Sequence, residues 1–292
     1  MTRDIRQRAI QLYDRFTHEG MDRRDFMSRM ATLAGSFAAA EALVASIAAS
    51  PAAAAIVPEN DPRIHTSTGT FLGITSFPKH SAYIAEPTTG SRHPTVMVVH
   101  ENRGLNQHIR DVTRRLALAG FYAVAPDFLS PVGGTPANED AAREAIGTLD
   151  LGSATAAGVA MLGEMRARLD GGPRVGAVGF CWGGAYVNRL AVAAGDKLDA
   201  AVVYYGPAPN PVEAAKVQAP LMTHIPELDE RVKATTWPWV KALRAAGKRV
   251  TTYNYPGANH AFNNDTSAER YHKAAAALAW KRTLRHFRMH LR

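Results

Sequence analysis

The chain has 292 residues, 46% of them hydrophobic, with 34 Lys and Arg against 26 Asp and Glu and one cysteine. That much apolar sequence builds one large core, and a lone cysteine rules out an intramolecular disulfide, so the fold rests on packing. The formal charge of +8 would suit an anionic partner, but the basic residues are scattered or gathered in the first turns and the last helix. They are not interleaved with aromatic residues on a patch, which argues against nucleic-acid binding.

In chain order, residues 1–21 place Ile5, Ile10, Leu12, Tyr13 and Phe16 among Arg and Asp, the pattern of an amphipathic helix. Residues 22–55 follow with paired arginines, Arg23 and Arg24, then Asp25 and Phe26, an Ala-rich apolar run and a stretch of small residues. This resembles a twin-arginine export signal cleaved near Ala54 or Ala55, which implies a periplasmic or exported protein. Glu41 interrupts the run and argues against a permanent membrane span. The alternative is an Ala-rich helix retained on a cytoplasmic protein, and the helix before the arginines is long for a signal n-region. The division expected is an N-terminal unit over 1–57 and a second unit over 58–292.

From about Pro58, β-rich runs alternate with helical patterns. FLGITSFPKHSAYIAEP reads as an antiparallel opening hairpin. TVMVVH (95–100) and FYAVAP (121–126) are Val-rich strands around a helix from about Asn106 to Ala119. SPVGGTPANED is a Gly/Pro-rich loop leading into a helix, the kind of loop that shapes a site at strand ends. Strands follow at 174–180, 199–206, 220–225 and 249–256. The final stretch from Ser267 reads as one amphipathic helix turning Leu278, Leu284, Phe287 and Leu291 toward the sheet. This order predicts an α/β fold, a mostly parallel twisted sheet with helices on both faces.

Gly179-Phe180-Cys181-Trp182-Gly183-Gly184 lies directly after one of these strands and before a helical pattern. It is the thiol form of the G-x-S-x-G nucleophile elbow. The turn lifts the nucleophile above the strand end, glycines let backbone pass closely, and the helix N-terminus favours a thiolate. The Trp182 N–H is placed to meet an oxyanion. An acid and a histidine should follow on loops after later strands. Asp229 after PLMTHI and His260 after TTYNYP satisfy that order, with Glu227 and Glu230 as the neighbouring acids to be weighed against Asp229. His224, inside a strand, reads as a core histidine, and His272, His286 and His290 on the final helix read as solvated.

With HENRGL (100–105), APD (125–127), GFCWGG (179–184), LDERV (228–232) and PGANHAF (256–262), the chain from about Ile64 onward resembles the dienelactone hydrolase family, of the α/β-hydrolase fold. The resemblance implies a Cys181–Asp229–His260 triad, a Glu101 that pairs with the resting thiol until substrate displaces it, and an Asn102 N–H that joins Trp182 in the oxyanion hole. It departs at the substrate clamp. Where the family has two arginines, this sequence has Pro131 or its neighbours and Asn264, and Arg103 is the remaining candidate to bind substrate. The expected reaction is hydrolysis of a small-molecule ester or lactone through an acyl-enzyme. The same site could serve a thioester, a small amide or an acyl transfer, and a non-catalytic binding protein on the same fold is the third reading. No Cys/His cluster has metal-ligand spacing and no strand is followed by a dinucleotide fingerprint, so no metal or other cofactor is expected.

Overall fold

A computed structural model describes the chain except residues 1, 49, 51–54, 76, 91 and 169–173. The Ala54 side of the expected cleavage site therefore lies outside the described residues. Eight strands form one sheet: β1 (Ile64–Ile74), β2 (Phe77–Pro87), β3 (Thr95–Val99), β4 (Tyr122–Pro126), β5 (Val175–Phe180), β6 (Ala200–Tyr204), β7 (Leu221–Pro226) and β8 (Val250–Tyr255). Their order is β1-β2-β4-β3-β5-β6-β7-β8. The β1–β2 and β2–β4 pairs are antiparallel, and the remaining neighbours are parallel.

Strand pleating sends successive side chains to opposite faces, and the central strands are apolar on both. On one face Val96, Val98, Val178, Phe180 and Val202 pack with Ile109, Val112 and Leu116 of α4 (Gln107–Leu118) and Phe287 of α9 (Lys273–His290). On the other, Met97, Val99, Ala177 and Val203 meet Met161 and Leu162 of α6 (Leu151–Ala167), Tyr186 and Leu190 of α7 (Trp182–Ala193), and Trp239 and Leu243 of α8 (Glu230–Ala245). Both faces are thus covered, as a parallel sheet requires.

The last helix departs from its sequence reading. It begins at Lys273, Leu278 is exposed, and the sheet-facing residues include Ala275, Ala276, Ala279 and Thr283. His286 is buried rather than solvated. Its Nε2 lies 3.2 Å from the Pro220 carbonyl oxygen, and burial pushes it down to about 4. Of the four residues expected to face the sheet, Phe287 and Leu291 are buried in its core and Leu284 packs against it, while small residues take the first turns where Leu278 turns outward. His272 caps the helix, its Nδ1 accepting from the Ala275 N–H.

The N-terminal residues form three helices, α1 (Arg3–His18), α2 (Arg23–Ala34) and α3 (Phe37–Ile47). Asp22 caps α2, Gly35 ends it with φ 88°, and Ser36 caps α3. The apolar run is therefore two helices bent by 104°, and among the described residues no single helix is long and apolar enough to cross a membrane. Ile10, Leu12, Tyr13, Phe16, Phe26, Met30, Leu43 and Ile47 form their own buried cluster, in which Phe16 and Phe26 stack at 4.2 Å.

Candidate active site

The strand-to-helix turn between β5 and α7 carries Cys181 at φ 56° and ψ −113°. A non-glycine residue in that region is strained, and such strain is retained where surrounding structure over-determines it. Tyr205 (φ 39°) and Ala261 (φ 61°) are in the same condition, each just beyond a strand end or beside His260. The elbow admits no larger residue: a Cβ on Gly179 would lie 1.9 Å from the Gly183 carbonyl oxygen, and one on Gly183 would lie 2.4 Å from that of Val99. Trp182 opens α7, so its N–H has no acceptor within the helix.

The later strands bring the acid and histidine together. Asp229 caps α8, its Oδ1 accepting from the Val232 N–H at 3.0 Å. Its Oδ2 accepts from His260 Nδ1 at 2.6 Å. Both residues are buried. Burial opposes the charge on Asp229, but His260 outweighs it and holds the carboxyl below its ordinary range. Burial likewise opposes a charged His260, yet the negative charges of a Cys181 thiolate and of Asp229 carry it up to about 10. The neighbouring acids are occupied elsewhere. Glu227 Oε2 accepts from the Gly257 N–H at 2.8 Å, and Glu230 pairs with Lys233 at 2.5 Å. His224 is a core residue, bonded to Tyr255 Oη and Thr283 Oγ1.

Glu101 is buried 6% exposed, and its partners are Asn264 Nδ2, which donates to Oε2 at 2.9 Å, and Tyr205 Oη, which donates to Oε1 at 3.4 Å. No hydrogen bond joins it to Cys181 among the described residues. Asn264, standing where an arginine was expected, thus holds the Glu101 carboxylate. Arg103 does not pair with Glu101 either. It bonds Oε2 of Glu139, the first residue of α5 (Glu139–Gly147), at 3.0 Å and Tyr13 Oη at 2.8 Å. Pro131 lies in a single 3-10 turn over Ser130–Val132.

Sequence reasoning missed the residues that α1 adds. His18 Nε2 lies 3.9 Å from Cys181 Sγ, and the His18 ring packs edge-on against His260 at 4.6 Å. Burial, reinforced by the positive charge of His260 and Arg231, pushes His18 well below its ordinary value and keeps it neutral. The helix is anchored by Asn102 Nδ2 donating to the Thr17 carbonyl at 3.3 Å, Arg143 donating to that of Phe16 at 3.2 Å, and Gln7 donating to Asn259 at 2.7 Å. Arg270 stacks on Tyr13 and donates to the Ile47 carbonyl. Arg23, of the paired arginines, forms an ion pair with Asp140. The one available signal was a well-formed amphipathic helix where a short n-region was expected.

With α1 in place, the cavity bounded by Tyr13, His18, Glu101, Cys181, His260 and Arg270 is about 20 Å³, room for one water molecule. A groove of about 330 Å³ reaches Cys181 from the side, between Thr17, His18, Trp182, Arg143 and Arg231. A separate cleft of about 370 Å³ near His108 and Arg110 is lined by neither Cys181 nor His260.

An elbow cysteine and an Asp–His pair at the carboxyl edge of such a sheet mark the α/β-hydrolase fold. The chain belongs to the dienelactone hydrolase family, whose model matches residues 80–291, and the family is one of ester and lactone hydrolases. A second family model, described as YqhI-like, matches residues 1–35. The chain is 34% identical over 262 residues to a Salmonella typhi protein named "Putative carboxymethylenebutenolidase", covering 81% of this chain and 93% of that one. It is 31% identical over 235 residues to a Bradyrhizobium protein named "Probable 2-oxo-3-(5-oxofuran-2-ylidene)propanoate lactonase", covering 72% and 89%. A solved structure from Klebsiella pneumoniae, "Putative Dienelactone Hydrolase", superposes with a TM-score of 0.68 at 28% identity over 78% of this chain and 99% of that one.

Proposed function

We propose that the chain hydrolyses a carboxylic ester or lactone through a Cys181 acyl-enzyme, with His260 as the proton carrier and Asp229 as its orienting acid. The observation that carries this reading is the 2.6 Å bond from Asp229 to His260 Nδ1, which leaves Nε2 beside the elbow thiol without a hydrogen-bond partner among the described residues. The Cys181 thiolate attacks the carbonyl carbon, and the oxyanion forms against the N–H groups of Trp182 and Asn102. His260 gives its proton to the leaving alkoxide, then takes one from the water that attacks the thioester and returns it to sulfur. Glu101 stands beside this machinery with its side chain held by Asn264 and Tyr205.

Two relatives are named for lactones that carry a carboxylate, and Arg103, Arg231 and Arg270 line the approaches to Cys181. An anionic ester or lactone entering along the Arg143–Arg231 groove fits that charge, with Arg231 making no ion pair among the described residues. A substrate panel of an aryl ester, a carboxylated lactone, a thioester and an anilide tests the proposal. Turnover of the first two, lost in Cys181→Ala, is expected; unchanged turnover in the variant, or turnover of the thioester or anilide alone, overturns it.

The contacts of α1 to α3 with the hydrolase domain support retention of residues 1–50 in the working protein over cleavage of an exported precursor. The intact mass of the protein isolated from its own cells distinguishes the two fates, and fractionation of those cells fixes the compartment.

A further inference from the structure

His18, Cys181 and His260 are 163 and 79 residues apart in the sequence, too far for any ligand-spacing motif, yet the fold gathers them. Cys181 Sγ and one nitrogen from each imidazole all lie within 4.8 Å of one another. The set is one thiolate and two imidazoles, the donors that suit zinc among the available divalent cations. His260 Nε2 is buried and has no hydrogen-bond partner among the described residues, while its Nδ1 donates to Asp229. A carboxylate behind the far nitrogen is the arrangement that orients a metal-ligating histidine. His18 Nε2 lies 3.9 Å from the Cys181 sulfur.

We propose that a zinc-class cation binds Cys181, His260 and His18, blocking the nucleophile and pinning α1 over the site. The proposal rests on the reading of Cys181 and His260 as the reacting pair, but its own subject is the third ligand, which the N-terminal unit supplies. Metal–sulfur and metal–nitrogen bonds of about 2.3 and 2.0–2.1 Å set tetrahedral donors about 3.5 Å apart, so the donors close by roughly an ångström. The adjustment falls where the chain can make it, since His18 is the last residue of α1 and the following Gly20 turns at φ 71°. Binding displaces one proton, carried by His260, to solvent. Sulfur and Nε2 each give a lone pair to the metal, a water takes the fourth position, and neither group remains available for catalysis.

Full-length protein, stripped with a chelator, is titrated with Zn²⁺ against a chromophoric competitor and separately with Co²⁺ to read the thiolate-to-metal charge-transfer band. One metal per chain with a sulfur band is expected, together with loss of ester turnover that a chelator restores. His18→Ala and His18→Gln, each checked for retained α1 helicity, should weaken binding at least about tenfold, and Cys181→Ser should remove the band. Equal affinity in both His18 variants, or bound metal without a sulfur band, overturns the proposal. Turnover by the metal-free protein reports on the hydrolase reading, and the cobalt band reports on the site, so either can fail alone.

Discussion

The α/β domain and the three-helix N-terminal unit are built from similar apolar material but specify their places differently. In the domain, strand residues alternate between two buried faces, and the chain direction alone sets which end carries the elbow, Asp229 and His260. The N-terminal unit has a small core of its own, and its position is set by polar contacts to distant residues, among them Arg103–Tyr13, Asn102–Thr17, Gln7–Asn259 and Arg270–Ile47. The first unit carries the groups proposed to react; the second bounds the space in front of them. Reactivity and access thus reside in separate parts of the chain, and substitutions should separate them.

The largest effect belongs to the domain. Asp229→Asn keeps the side-chain volume but removes one of the two negative charges that favour a charged His260, the one bonded to its Nδ1, and turnover should fall by about 10²–10⁴ with the far-ultraviolet circular dichroism unchanged. A loss under tenfold would remove Asp229 from the reacting unit. Next is the N-terminal unit. Phe16→Ala deletes one ring of the Phe16–Phe26 stack, and a buried Phe-to-Ala change costs about 3–5 kcal/mol. Amide exchange should accelerate in α1 and not in β3 or β5, while kcat/KM for bulky esters rises more than for an acetate ester. Simultaneous acceleration in α1 and β5 would show that the two regions open as one.

The smallest effect is on stability against pH. Asp229 sits below its ordinary range in the folded protein, so its contribution is present above about 3.9 and lost as pH falls through the depressed value. His260 is raised to about 10, so its contribution is complete below about 6.5 and lost as pH rises toward about 10. The difference in Tm between the wild type and Asp229→Asn should therefore be greatest near pH 5–6 and vanish near pH 10. A difference that grows with pH would contradict the sign of the His260 shift.

The parts of the fold that sequence made legible are those fixed locally. The strands, the opening hairpin and the elbow follow from alternation and glycine spacing, and the order of strands placed Asp229 and His260 on loops that meet. The last helix was read correctly at Leu284, Phe287 and Leu291 but not at Leu278 and His286, because Ala275, Ala276 and Ala279 carry the sheet-facing side of its first turns and leave Leu278 outside and His286 inside. His18 was illegible for a different reason. Its neighbour Cys181 is 163 residues away, and the docking of α1 depends on single hydrogen bonds that no periodicity encodes. The Ala-rich stretch was ambiguous because a packed pair of small-residue helices and an export signal share one composition.

The proposed reaction turns on the Cys181 sulfur as the atom that becomes acylated. Rapid quenching of the full-length protein during turnover of an activated ester, followed by peptide mass spectrometry, should find one acyl group per chain on the peptide containing Cys181 and none in Cys181→Ala. Turnover that proceeds without an adduct on Cys181, with equal rates in the wild type and the variant, would contradict it.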